Sequence, residues 1–138
     1  MKLSRLSINR SVVLMALAVV CGVCLGACRR PSSLTVQDLR AGTGVQAREG
    51  SKVAVHYVAR LQSGVQVDDS HARGTPSEFV IGQGMVIPGL ERGVVGMRVG
   101  GLRRVTVPPA LAYGKRAGGP NIPSGSTLVF EVELVAVM

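Results

Sequence analysis

The stretch Ser126-Thr-Leu-Val-Phe-Glu-Val-Glu-Leu134 decides the fold class of this 138-residue chain. Its apolar residues occupy every second position from Leu128 to Leu134, and Glu131 and Glu133 stand between them. Because side chains on a β-strand point alternately to its two faces, this pattern predicts a strand with one buried and one solvated face. Such a strand is typical of an antiparallel sheet that covers a core on one side.

Further strands are predicted upstream from the same alternation. Between Lys52 and Leu61 apolar residues recur at every second position, and a turn at 62–64 then reverses the chain into a hairpin partner. The 18 glycines also favour a chain with many turns over one with long helices. Other short strands are predicted at 34–39, 65–67, 79–81 and 102–107.

One short helix is predicted to begin at Pro88, because a proline in the first helical turn removes no helical hydrogen bond. Leu90, Val94 and Met97 follow at helical spacing, and the glycines among and after them keep the helix short. Several strands in hairpin-like order with one helix predict an α+β domain built on an antiparallel sheet.

Composition and charge restrict the classes of function. The length is that of one domain. The net charge of +8 is scattered over strands and loops, and the chain has only two Tyr, two Phe and no Trp, so we expect a solvated basic surface and no nucleic-acid partner. His56 and His71 are too few and too isolated to build a metal site, and no metal is expected.

The amino-terminal segment has the pattern of an export signal. A basic start is followed by an uncharged apolar run from 12 to 27, which is too short to span a bilayer comfortably. The run ends in Leu25-Gly26-Ala27-Cys28, which resembles a bacterial lipobox and implies cleavage before Cys28 and lipidation of its sulfur. We therefore predict a signal peptide at 1–27, a lipidated cysteine and linker at 28–33, and the folded domain at 34–138.

A lipidated Cys28 predicts an exported protein on the periplasmic face of a membrane, held there by stable lipid anchoring. Arg29 after the cysteine favours the outer membrane if the cell is Gram-negative. The other two cysteines, Cys21 and Cys24, have the spacing of a redox pair, but they would leave with the signal, so no disulfide is expected.

Three segments together carry a family resemblance. They are Val-Ala-Val-His-Tyr at 53–57, Val-Ile-Pro-Gly-Leu-Glu-Arg-Gly at 86–93, and Ala-Tyr-Gly at 112–114 followed by Ile-Pro at 122–123 and the strand at 126–134. Their order and spacing resemble the FKBP-type peptidyl-prolyl cis/trans isomerases, from about Leu34 to Val137. The resemblance implies a half-barrel antiparallel sheet wrapped over one helix, an apolar bowl between them, and catalysis of X-Pro rotation without a cofactor.

The resemblance also implies the residues of the bowl. Leu90 would form its floor, the Ile87 N–H and the Tyr113 hydroxyl would each bond a substrate carbonyl, and Asp68 would set the polar edge. The implied catalytic residues are Asp68, Tyr113 and Tyr57, and the implied substrate-binding residues are Val67, Val86, Ile87, Leu90 and Phe130. From the residues alone, core packing is the favoured explanation of the apolar members.

The chain departs from the family at Val67, Ser77 and Leu90, where aromatic residues are often found. These departures predict slower catalysis and reduced affinity for macrolide inhibitors. The expected partners are proline-containing polypeptides and the membrane, and without a helical dimerisation arm in the sequence we expect a monomer. The alternative function is a non-catalytic or weakly catalytic binding module or chaperone for apolar or proline-containing segments.

Overall fold

The computed structural model describes residues 33–138, so the predicted signal segment and Cys28 lie outside the described residues. Within that range the chain forms six β-strands, one α-helix and one turn of 3-10 helix. No helix in this range is long and apolar enough to cross a bilayer. The elements are β1 (Thr35–Arg40), β2 (Lys52–Leu61), β3 (Gln66–Asp69), β4 (Ser77–Val80), α1 (Pro88–Val94), β5 (Leu102–Val107), the 3-10 turn (Pro109–Leu111) and β6 (Leu128–Val137).

All pairs of neighbouring strands are antiparallel, in the order β1-β5-β6-β2-β3. One edge of β2 pairs with β6 over nearly its full length, and the other edge is shared by β4 and then β3. The last strand in sequence therefore lies in the interior of the sheet. The predicted class, an α+β domain with an antiparallel sheet and one short helix, is confirmed.

The inner face of the sheet carries the core. The alternation that predicts β6 is present in the structure: Leu128, Phe130, Val132 and Leu134 are all at most 6% exposed. In register with them lie buried residues of β2 and β5, so three strands contribute to one apolar surface. Helix α1 covers that surface and closes the core.

Two glycines let α1 lie directly on β5. A Cβ atom on Gly89 would stand 2.2 Å from Cγ1 of Val107, and one on Gly93 would stand 2.7 Å from Cγ1 of Val105. Real side chains do not approach so closely, so larger residues here would force the helix away from the sheet. These glycines reduce the intrinsic stability of the helix, but they are what allows its close packing.

The helix ends at Val94, before Met97, which the sequence spacing had placed on the same helix. Val95 is extended, with ψ of 130°, and Gly96 has φ of 86°, a conformation that glycine adopts without strain. Met97 is nevertheless 3% exposed, because the turn returns its side chain to the core. The spacing of Met97 from Leu90 and Val94 therefore reflects its burial and does not place it in the helix.

An arginine from β5 binds the carboxyl end of α1. Nη1 of Arg103 donates to the carbonyl oxygens of Gly93 at 2.9 Å and Val95 at 3.0 Å, and Nε donates to Oδ1 of Asp38 at 2.6 Å. The Arg103 side chain is only 12% exposed. A cation at this position satisfies carbonyls that the ended helix leaves free and interacts favourably with the helix dipole.

Candidate functional site

An apolar cavity of about 220 Å³ lies between the inner face of the sheet and the amino-terminal end of α1. All eight bowl residues that the family resemblance implies contribute to its lining. The lining residues are Tyr57, Ala59, Val67, Asp68, Ser77, Met85, Val86, Ile87, Leu90, Tyr113, Ile122, Leu128 and Phe130.

The base of the cavity is continuous with the core. Leu90 of α1 is 3% exposed and Phe130 of β6 is 6% exposed, and both belong to the core cluster as well as to the cavity lining. The ring of Tyr57 meets that of Phe130 edge to face, with ring centroids 5.8 Å apart. Core packing and cavity lining, the two alternatives raised for the apolar residues, are therefore compatible for these side chains.

A hydrogen-bonded network forms the polar edge of the cavity. The Tyr57 hydroxyl donates to Oδ2 of Asp68 at 2.6 Å, and the Asp69 N–H donates to Oδ1 of Asp68 at 2.8 Å. Nη1 of Arg73 also donates to Oδ1 of Asp68, while Nη2 donates to the Tyr57 oxygen at 3.1 Å. Arg73 thus joins the two polar members of the cavity and holds both in one arrangement.

Arg73 is a member of the site that was not predicted from the sequence. It lies in the polar loop between β3 and β4, and no signal in the sequence shows that this loop returns it to Asp68. Met85 and Ile122, which also line the cavity, were missed too. Met85 is 60% exposed. Ile122 belongs to one of the segments that carry the family resemblance, and this membership could have identified it as a lining residue.

The network fixes the protonation states of its acids. Burial raises the pKa of the Tyr57 hydroxyl above its ordinary 10.0, and its hydrogen bond to Asp68 raises it further, although Arg73 opposes both effects. Burial disfavours the charged carboxylate of Asp68, but hydrogen bonds from Tyr57 and Arg73 outweigh it and hold the pKa of that carboxyl below its ordinary 3.8. At neutral pH the site therefore contains a neutral phenol and an ionised carboxylate.

An unengaged backbone donor lies at the wall of the cavity. Ile87 directly precedes α1, and its carbonyl accepts the N–H groups of Leu90 at 3.1 Å and Glu91 at 3.3 Å. Its own N–H donates no hydrogen bond to any residue in 33–138. Because Pro88 fixes the backbone at the first turn, this donor is held in place at the start of the helix.

Tyr113 lines the cavity from the loop that follows the 3-10 turn. The side chain is 40% exposed, and its hydroxyl bonds to nothing in the described part of the chain. A Cβ atom on Gly118 would stand 2.4 Å from Cδ2 of Tyr113, so the loop passes directly against the ring. The loop is also closed by a hydrogen bond from the Gly125 N–H to the Gly114 carbonyl at 2.8 Å. Tyr113 is thus positioned by packing, with its hydroxyl left available.

The two histidines lie against each other, a contact that was not predicted from the sequence. The rings of His56 and His71 stack with centroids 4.4 Å apart and an angle of 15° between their planes. Nδ1 of His56 lies 3.0 Å from Oγ of Ser70, which also accepts the Tyr57 N–H at 2.8 Å. The polar loop brings them together, since it folds back along β2. Among residues 33–138 no group of three possible ligands could hold a metal ion.

Comparison with known proteins gives one family and many relatives. Residues 44–135 match the model of the family described as FKBP-type peptidyl-prolyl cis-trans isomerase. The chain is 47% identical over 109 residues to an FK506-binding protein of Streptomyces anulatus, covering 78% of this chain and 88% of that protein. It is 46% identical over 105 residues to FK506-binding protein 1A of Neurospora crassa, covering 75% of this chain and 88% of that protein.

Other relatives are much longer than the matched region. The chain spans 28% of FK506-binding protein 4 of Rhizopus delemar, to which it is 40% identical over 107 residues. Among solved structures it resembles AtFKBP13, with a TM-score of 0.72 and 37% identity over 79% of this chain and 96% of that one. It also resembles FkpA from Escherichia coli, with a TM-score of 0.69 and 42% identity over 76% of this chain and 48% of that one.

Proposed function

This chain belongs to the FKBP-type peptidyl-prolyl cis-trans isomerase family, and from that premise we propose that it catalyses rotation of X-Pro peptide bonds in the cavity next to α1. One observation carries the proposal: all eight residues implied by the family resemblance line a single apolar cavity. Two of them offer hydrogen-bond donors without a partner in the described range, the Ile87 N–H and the Tyr113 hydroxyl. Proline-containing polypeptides are the proposed substrates.

Rotation about the X-Pro bond requires a surface that binds the twisted imide, and it does not require a reactive side chain. The barrier to amide rotation is about 18–20 kcal/mol, because resonance stabilises the planar form. Catalysis needs only that the twisted imide is bound better than the planar one. The planar imide is the more polar species, so the apolar walls formed by Leu90 and Phe130 favour the twisted form. No proton or nucleophile takes part in this mechanism.

The polar residues hold the substrate in the twisted geometry. We assign the Ile87 N–H and the Tyr113 hydroxyl to carbonyl groups on either side of the prolyl bond. Asp68 remains ionised within its network and keeps Tyr57 and Arg73 in position at the edge. Because the members of this network bond to one another within the protein, little reorganisation is needed when the substrate binds.

An exchange assay on a proline tetrapeptide tests the proposal. We expect acceleration above the uncatalysed rate, and we expect Tyr113→Phe to lower kcat/KM about tenfold, the effect of losing roughly 1.4 kcal/mol of transition-state binding. The ring of phenylalanine still packs on Gly118, so unfolding midpoints should not change. Val67→Phe should raise kcat/KM several-fold, since it adds aromatic surface to a half-buried wall.

Two outcomes would contradict this assignment of the site. Full activity of folded Tyr113→Phe, together with no effect of Val67→Phe, would place the site elsewhere. Binding of proline peptides without any acceleration would favour the non-catalytic binding module.

The rate of isomerisation should be nearly constant between about pH 6 and 8. The pKa of Asp68 lies below 3.8 and that of Tyr57 lies above 10.0, so neither acid of the cavity titrates in this window. The check is kcat/KM measured at fixed ionic strength across the range. A sigmoidal or bell-shaped profile within this window would contradict the mechanism, because it would show that a titrating group takes part in the reaction.

We also propose that the protein is exported and anchored through Cys28, acts on exported clients as a monomer, and binds FK506-type macrolides with reduced affinity. The supporting pattern for anchoring is the basic start, the apolar run and the ending Leu25-Gly26-Ala27-Cys28. The proposed division is a signal peptide at 1–27, a lipidated cysteine and linker at 28–33, and the folded domain at 34–138.

Lipidation has a direct test. A labelled fatty acid supplied to cells should mark the wild-type protein, and Cys28→Ser should abolish the label and leave an unprocessed chain. Cys24→Ser is the matched control, since it changes a neighbouring thiol within the predicted signal and should leave labelling intact. Absence of label in the wild-type protein would refute the anchor.

A further inference from the structure

The loop that supplies Tyr113 to the cavity carries basic residues without acidic neighbours in sequence. Between Glu91 and Glu131 the chain contains no Asp or Glu. Within this segment lies the loop that supplies Tyr113 to the cavity, and Lys115 and Arg116 of that loop are both exposed. Neither forms an ion pair within residues 33–138.

The backbone holds these two cations close to the cavity. The Arg116 N–H donates to the Tyr113 carbonyl at 3.0 Å, so residues 113–116 form a tight turn. The Gly118 N–H donates to the carbonyl of Ile122 at 3.0 Å, and Gly118 itself lies against the Tyr113 ring. Lys115 and Arg116 are therefore confined between residues that contact the proposed substrate site.

The acids near the rest of the mouth are already engaged. Asp68 is ion-paired with Arg73, and Asp69 accepts hydrogen bonds from the N–H and Nδ1 of His71. Glu91 accepts the Gly84 N–H at 3.0 Å. Asp69 and Glu91 keep their negative charge but are held by hydrogen bonds within the protein, whereas Lys115 and Arg116 have no ion-pair partner in the described range.

We propose that this isomerase site prefers prolyl segments flanked by acidic side chains, which Lys115 and Arg116 attract. The inference rests on the proposed function of the cavity and adds the class of substrate. A bound peptide advances about 3.3 Å per residue, so side chains one or two positions from the proline lie within roughly 10 Å of the loop, about one Debye length at 0.1 M salt. Attraction over this distance affects exposed charges and decreases as salt is added.

The test uses the full-length chain and tetrapeptides that differ only in Glu, Gln or Lys beside the prolyl pair. Both kcat/KM and equilibrium binding are measured, at about 20 mM and about 500 mM salt. We expect kcat/KM to be about threefold to tenfold higher for the Glu peptide than for the Lys peptide at low salt, and the binding constants to differ in the same direction. This Glu-to-Lys ratio should approach one at high salt. The Lys115→Gln/Arg116→Gln double variant should show a ratio near one at both salt concentrations.

A matched double variant controls for the loss of two charges. Arg48 and Arg98 are exposed and lie beyond the carboxyl end of α1, away from the cavity, so Arg48→Gln/Arg98→Gln should keep the wild-type ratio. A Glu-to-Lys ratio of one in the wild type, or a preference that survives in the Lys115→Gln/Arg116→Gln variant, overturns the inference. Failure of the proposed isomerase function would give a different result. No peptide, including the Gln peptide, would then isomerise faster than without the protein, while equilibrium binding would still be tighter for the Glu peptide than for the Lys peptide.

Discussion

Phe130→Ala is expected to lower the free energy of unfolding by about 3–5 kcal/mol and also to remove most of the isomerase activity. Phe130 is 6% exposed, lies between Val105 of β5 and Ala59 of β2 in the sheet register, and packs edge to face on Tyr57. Truncation leaves a cavity in the core and also widens the wall against which the prolyl ring would rest. Stability and catalysis should therefore be lost together.

Phe79 offers a matched control for this double effect. It is 1% exposed on β4 and belongs to the same core, but it does not line the cavity. Phe79→Ala should cost a similar amount of stability by denaturant unfolding. Since either truncation could unfold a domain of modest stability, Phe130→Leu and Phe79→Leu are assayed as milder substitutions. Equal kcat/KM per folded molecule in the two Leu variants would contradict the placement of Phe130 in the site.

Arg103→Met is expected to cost about 2–4 kcal/mol of unfolding free energy with the cavity left unchanged. Methionine keeps much of the apolar stem, but it removes the donor shared by the Gly93 and Val95 carbonyls and the partner of Asp38. Hydrogen bonds to a charged group contribute about 1.5–3 kcal/mol, and part-buried carbonyls left without a donor add to the loss. Denaturant unfolding measures the change.

The neighbouring Arg104 provides the control. Its side chain points to the outer face, is 44% exposed, and pairs with Glu131 at 2.9 Å. Arg104→Met removes the same charge and should cost less than about 1 kcal/mol, as is usual for exposed ion pairs. A similar loss in the two variants would show that Arg103 acts through net charge and not through the end of α1.

The two long strands β2 and β6 were predictable because each carries a signal of period two. The alternation of β6 gave its inner face correctly, and β5 was predicted at its observed bounds of Leu102–Val107. Pro88 also marked the first residue of α1 correctly. In each case the signal is local, since one face of the element is buried and the other is not.

Features that depend on the path of a loop were not predictable. Arg73 meets Asp68 only because the polar loop folds back along β2, and the same path stacks His71 on His56. The end of α1 was misread from Met97, because a buried residue after a turn can match helical spacing. The eight bowl residues were identified through the family resemblance, since periodicity alone does not separate cavity lining from core.

The central position of β6 has a consequence for the order of events in folding. Its two neighbours pair residues far apart in sequence: Val55 of β2 with Leu134, and Val105 of β5 with Phe130. Closing such long loops has a large entropic cost, so sheet formation is slow compared with that of local hairpins. While the chain is being synthesised, β2 and β5 have no strand to join them until residues 128–137 leave the ribosome. The local hairpin of β2 and β3 can form earlier, but the sheet is complete only once β6 is available to join β2 to β5.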